Sequence, residues 1–193
     1  MALELNGTTG VSLVQDGVVT AADLASTLDL TGKTVTLPAG VGGKVLQITQ
    51  SVLTSAVAAT SSTYIDVMSG TITPSSSSSK VLVYFCINIG WGGNGHLSGI
   101  ILRNGTQIFM GDAAGSRTRD TWGFDPGNGE TVSPFPAIYL DSPATTSALT
   151  YKLQMKSTPN SPYAFYVNRS ASDADAGYRS RTASSIILME ISA

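Results

Sequence analysis

Residues 80–111, KVLVYFCINIGWGGNGHLSGIILRNGTQIFMG, read as a strand, a glycine-rich loop and a hairpin, and they leave few folds open. Val81, Val83, Phe85, Ile87 and Ile89 are all apolar, while Lys80, Leu82, Tyr84, Cys86 and Asn88 between them are mixed. Side chains alternate across a strand with period two, so one face is apolar throughout and the other only half wet. Asn104-Gly105 then lies between two apolar runs. A type I′ turn needs positive φ at both central residues, which makes this pair a strong hairpin signal. With those two at the turn, Arg103 faces Thr106, Leu102 faces Gln107, Ile101 faces Ile108 and Ile100 faces Phe109. Apolar pairs then fall on both faces, and such a ribbon needs cover on both sides, from a second sheet or a partner chain.

Composition narrows the partners. Charged residues are 12% of the 193 and the formal net charge is −2. Neither nucleic acid nor an acidic membrane surface is expected, since both attract basic excess. Ser and Thr supply about a quarter of the chain, a β composition in which hydroxyls do the solvating that charges do elsewhere. Hydrophobic residues in periodic runs, 42% of the total, argue against disorder. Cys86 is the only cysteine, which excludes an intrachain disulfide, and its place in the apolar strand suggests an inert core residue. The opening MALELNGTTG lacks a basic, then apolar signal pattern, and no apolar run nears the ~20 residues that span a bilayer. The expectation is a soluble protein assembled in a cytoplasm, with no export signal and no membrane insertion.

Residues 1–43 differ in kind. Asn6-Gly7, Asp16-Gly17 and Thr31-Gly32 break them into short β-prone pieces, with a helical turn or two capped by Thr20. Ordering each residue costs about 1–2 kcal/mol of backbone entropy, which so few large side chains cannot offset alone. An extended arm that orders on neighbouring chains is expected, with Leu13, Val14, Val18 and Val19 as its contacts. From residue 44 strands are expected at 45–52, 64–68, 80–89, 100–109, 137–140, 149–156, 163–167 and 185–191. The five serines at 75–79 read as an exposed turn, and residues 111–136 as a long irregular segment. The final run is broken only by Glu190 and suits a central strand or one at a subunit interface. The expected fold is all-β, an antiparallel sandwich of jelly-roll type over residues 44–193.

At this point the residues resemble a family. LELNGTTGVSLVQDGVVTAADLAS, with TVTLPAG after it, resembles the N-terminal attachment segments of small tail-fibre-like virion proteins from bacteriophages of aquatic hosts. TYIDVMSGTITPSSSSSKVLVYFCINIG, LRNGTQI, LTYKLQMKS and SSIILMEIS are similar to the distal β-sandwich heads of such fibres. More loosely they resemble the trimeric jelly rolls of the tumour-necrosis-factor and complement-C1q type. The resemblance implies a homotrimer located in the virion. Residues 1–43 would serve attachment and trimerisation on other phage structural proteins of the baseplate, tail or capsid, and the head would contact the host surface. A capsid-decoration or head-fibre protein is the alternative.

Chemistry-bearing residues are sparse. His96 is the only histidine, and no Gly-x-Ser-x-Gly elbow accompanies it. One His and one Cys do not make a zinc site within a chain. Asp173-x-Asp175-x-Gly177 opens like a calcium loop, but Ser184 stands where the acidic twelfth residue belongs. Asp112, Asp120, Asp125 and Glu130 offer carboxylates for sugar cleavage, the enzyme reading, but such residues gather in exposed loops regardless. No enzyme, metal or cofactor is expected. A glycan-binding surface has more support: Trp91, Trp122 and Phe124 for stacking, with Asn94, His96, Arg117, Arg119 and Asp120 for sugar hydroxyls. The same aromatics would serve equally to plug the ends of the sandwich or to pack across subunits. Ile100, Ile101, Ile108, Ile187 and Met189 are the expected assembly contacts of the head.

Overall fold

The computed structural model describes residues 44–93, 95–124, 131–157 and 163–193. The expected arm, with Leu13, Val14, Val18 and Val19, lies outside the described residues, as does Asn94. The elements are β1 (Val45–Leu53), β2 (Val57–Ala59), β3 (Ile65–Ile72), β4 (Lys80–Trp91), β5 (Leu97–Arg103) and β6 (Thr106–Ile108), followed by β7 (Trp122–Phe124), β8 (Val132–Asp141), β9 (Leu149–Ser157), β10 (Phe165–Val167) and β11 (Ser184–Ile191). No helix occurs among the described residues.

The Asn104-Gly105 turn forms as its chemistry dictates, with φ of 47° and 85°. It sets Arg103 opposite Thr106, Leu102 opposite Gln107 and Ile101 opposite Ile108. The expected fourth pair, Ile100 with Phe109, is not made. Phe109 takes φ 49°, a left-handed conformation that turns the chain out of the strand.

From that tip the chain pairs back along itself. β5 pairs with β6 and β7, β4 with β8, β3 with β9 and β1 with β11, all antiparallel. The fold is thus one long ribbon, rolled so that β11 joins β4 and β9 joins β5. Rolling yields two sheets. One runs β8-β4-β11-β1, extended by β10 and β2; the other runs β3-β9-β5-β6, with β7 continuing the edge. This is an antiparallel jelly-roll sandwich, and β11 is a central strand, as its apolar run requires. The ribbon's two ends meet, with the Ser192 amide donating to the Lys44 carbonyl at 2.8 Å.

Alternation builds the core. Val81, Val83, Phe85, Ile87 and Ile89, with Ile186 and Leu188 beside them on β11, face Tyr151, Leu153 and Met155 of the other sheet, all buried. Each large side chain so buried contributes about 1.5–3 kcal/mol. The same parity corrects two expectations. Trp91, placed in an exposed loop by the sequence, ends β4 on the inward face at 1% exposure and meets Tyr163. Cys86, expected in the core, lies on the outward face and is half-buried.

Expectations for the hairpin faces also change. Ile101 and Ile100 are both buried within the single chain, and Ile108 packs partly buried on the core. Ile101 and Ile108 are covered by their own sandwich, whereas Ile100, opposite Gln154, is buried on the other face of β5. Both corners are closed by side chains. At one, Gln47 Nε2 and Thr49 Oγ1 donate to the Thr73 and Thr71 carbonyls. At the other, Trp122 Nε1 donates to Pro136 O, and Arg103 Nη1 donates to both oxygens of Asp141 at 2.8 Å. The serine run is a turn, but not a passive one. Ser75 donates through its amide and its hydroxyl to Glu190 Oε1, and Ser79 is buried.

Candidate functional site

β6 and β7 are two halves of one edge strand, lying end to end along β5. Between them residues 109–121 leave the sheet and return. Phe109 makes the exit and Gly115, at φ 61°, turns the tip, where the Arg117 amide donates to Ala114 O. Thr121 closes the neck: its amide donates to Gly99 O and its hydroxyl to Phe109 O, both at 2.9 Å. Arg119 Nε donates to Gly111 O, and Gln107 Nε2 donates to the Arg119 carbonyl. A compact loop tied through its own backbone in this way is a rigid platform.

Beneath the loop lies a cleft of about 490 Å³ lined by His96, Asp112, Arg117, Thr118, Asp120 and Gly123 among others. Asp120 anchors it. Oδ1 accepts from the Tyr64 hydroxyl at 2.6 Å and Oδ2 from Ser98 Oγ at 2.7 Å. Burial, then the Asp120 carboxylate, push the Tyr64 phenol well above its ordinary range, so it stays protonated as a donor. Lys156 Nζ stands 4.4 Å from the centre of the Tyr64 ring. His96 Nε2 is 3.8 Å from Asp120 Oδ2, with the imidazole 53% exposed and the carboxylate 8%. Its ring lies over Gly123, where a Cβ would come within 2.6 Å of Cε1.

This arrangement gathers polar side chains in one cleft. Ser98 gives its proton to a carboxylate, whereas in a nucleophile relay the hydroxyl donates to the imidazole. Three residues proposed from sequence, His96, Arg117 and Asp120, meet in the cleft, and Asp112 joins them. Arg119 instead braces the neck. The aromatics face elsewhere. Trp122 packs across β5 over Gly99, where a Cβ would lie 2.2 Å from its ring, and Phe124 stacks on Phe135 at 3.8 Å between centroids. These two pack against the core of the sandwich, one of the roles open to them from sequence. Tyr64, Ser98 and Gly123 were not singled out by sequence reasoning. Ser98 carried a weak signal, a polar residue inside an apolar run, whereas nothing near Tyr64 points to a partner so distant in the chain.

A second recess of about 210 Å³ lies at residues 170–181. There Asp173 is held by Arg181, with Arg169 Nε 3.9 Å away, so the calcium-like spacing serves ion pairs. Among the described residues no group of three or more His, Cys, Asp or Glu is placed to hold a metal, and no helix is long and apolar enough to cross a membrane. Of the expected assembly residues, Ile187 and Met189 point outward from β11 and are half-buried.

No protein-family model and no curated protein matches the sequence. Solved structures similar to it include VP2 of infectious bursal disease virus. The D431N mutant VP2 in derived T=1 particles has 12% identity and a TM-score of 0.39, over 89% of this chain and 45% of that one. The VP2 subviral particle has 12% identity and a TM-score of 0.36, over 89% and 46%. The Gx strain structure has 11% identity and a TM-score of 0.33, over 82% and 42%. This chain spans less than half the length of each.

Proposed function

We propose that this protein is a structural component of a virus particle, the tail fibre of a bacteriophage. In this reading it forms a homotrimer, residues 1–43 dock on the particle, and the sandwich head contacts host-surface glycan without cleaving it. The observation that carries the reading is polarity along the sandwich. Lys44 enters beside Ser192 at the end of the sandwich that also holds the Arg103–Asp141 pair. Ser98 and His96 lie toward the other end of β5, roughly 20 Å away at about 3.3 Å per residue. An anchor at one end and a polar cleft at the other suit a fibre head. The phrase resemblance in the sequence supports the viral assignment.

Two measurements test this. The 44–193 head should bind host polysaccharide, and Arg117→Ala should weaken that binding about 10–100-fold, the loss expected for a hydrogen bond to a charged group. The chain lacking 1–43 should no longer incorporate into particles. Normal incorporation, or an Arg117→Ala head that binds like wild type, would overturn the respective half. Turnover of polysaccharide, abolished by Asp112→Asn, would replace the binding role with a catalytic one. A second reading, a capsid-decoration or head-fibre protein, is favoured by one observation: among the described residues the cleft lining includes no Trp, Tyr or Phe, the large flat rings that would stack on sugars. Imaging of labelled protein on the virion separates the two by location.

A further inference from the structure

We propose that the outer face of the β8-β4-β11-β1 sheet is buried against a second copy of this chain. Register places Leu140, Leu82, Met189 and Ile48 in one row across the four strands. In the next row Ile138 and Ile187 lie on either side of β4. Ile48 is 59% exposed, Ile138 60% and Leu140 45%. These rows hold no charged residue. The opposite sheet is a contrast within the same molecule: its outer face carries Asp66, Lys152 and Lys156, with Lys152 Nζ and Gln154 Nε2 both bound to Asp66. A sheet with one solvated face normally looks like that second one.

Area and charge select the occupant. With the row of Pro136, Cys86, Ser185 and Val52 added, three rows about 7 Å apart on four strands about 4.8 Å apart span roughly 400 Å². About 400 Å² on each partner, roughly 800 Å² in total, is the size of a weak, reversible association. Uncharged rows meet another copy of this chain with no like-charge cost, and most soluble oligomers are built from identical chains. Lys80, opposite Ile191, is a single cation at the margin of these rows, short of the basic cluster that a lipid surface would call for. Growth by strand addition is opposed, because Pro134 and Pro136 lie on the free edge of β8 and lack the N–H that pairing needs.

This inference rests on neither the cleft nor the viral reading. It is tested on the full chain by light scattering and by alkylation of Cys86, the sole thiol, which lies on this face. Wild type should be an oligomer at tens of micromolar. Cys86 should react at least 10-fold more slowly there than on dilution into the nanomolar range. Ile138→Lys, at a position already exposed, should shift the mass to monomer while cleft binding persists. A monomeric wild type, or Cys86 reactivity independent of concentration, would overturn the proposal. So would a folded Ile138→Lys chain of wild-type mass. A dimer in place of a trimer would sustain the face and remove only the trimeric reading.

Discussion

Glu190 sits inward on β11 among neutral donors: Gln47 Nε2 at 2.6 Å, and the amide and hydroxyl of Ser75 at 2.7 Å each. Burial pushes its carboxyl up, but those hydrogen bonds outweigh burial and hold it down at about 2, against an ordinary 4.5. A carboxyl whose pKa is lower folded than unfolded stabilises fully above the unfolded value and loses that contribution as pH falls through the folded one. Melting temperature should therefore decline as pH drops from about 4.5 to 2. In Glu190→Gln the decline over this window should be shallower; an identical slope would exclude Glu190 as its source. Two other acidic residues differ sharply in worth. Asp141 is buried, takes both Arg103 bonds and accepts from the Tyr151 hydroxyl at 2.6 Å. Asp141→Ala strands those donors and should cost about 2–4 kcal/mol by urea unfolding, below a fully buried pair because Arg103 is partly solvated. Lys152→Ala breaks only an exposed pair with Asp66 and should cost less than about 1 kcal/mol.

At the level of elements, the excursion is an insertion in an otherwise regular edge. Excising residues 110–121 and joining Phe109 to Trp122 should restore a continuous strand, with Phe109 opposite Ile100 as the sequence pairing expects. The shortened chain should fold, lose the cleft, and be less stable by about 1–3 kcal/mol, because the Tyr64 and Ser98 hydroxyls lose their acceptor. Amide exchange protection at 106–109 and 122–124 checks the strand, and a chain that fails to fold would mean the loop is integral to the edge. This element shows where the sequence was legible. Alternation in β4, β9 and β11 and the Asn104-Gly105 turn are local signals, and they located the core strands and the tip of the ribbon. β8 was read only from residue 137, because Pro134 and Pro136 demote a strand in any local pattern, yet an edge strand accepts them. β2 and β7, three residues each, are too short to show a period. The cleft was half legible: His96, Arg117 and Asp120 were chosen for their chemistry, but the inward turn of Trp122 follows from the smallness of Gly99 across the strand pair.

The whole molecule is a rolled ribbon, and its outermost pairing joins the first strand of the sandwich to the last. Contacts so distant in sequence require long loops to close before they stabilise anything, and sandwiches of this kind fold in milliseconds to seconds. Refolding from urea, followed by the buried Trp91 and the partly buried Trp122, should fall in that range. Microsecond recovery would mean that local contacts dominate after all. The hydrogen bond between Ser192 and Lys44 has a practical corollary for anyone building on this scaffold. A purification tag or fluorophore fused behind Ala193 will emerge on the side of the sandwich where Lys44 enters. Peptide cargo meant for display at the far end belongs instead in the tip of the excursion, near Gly115.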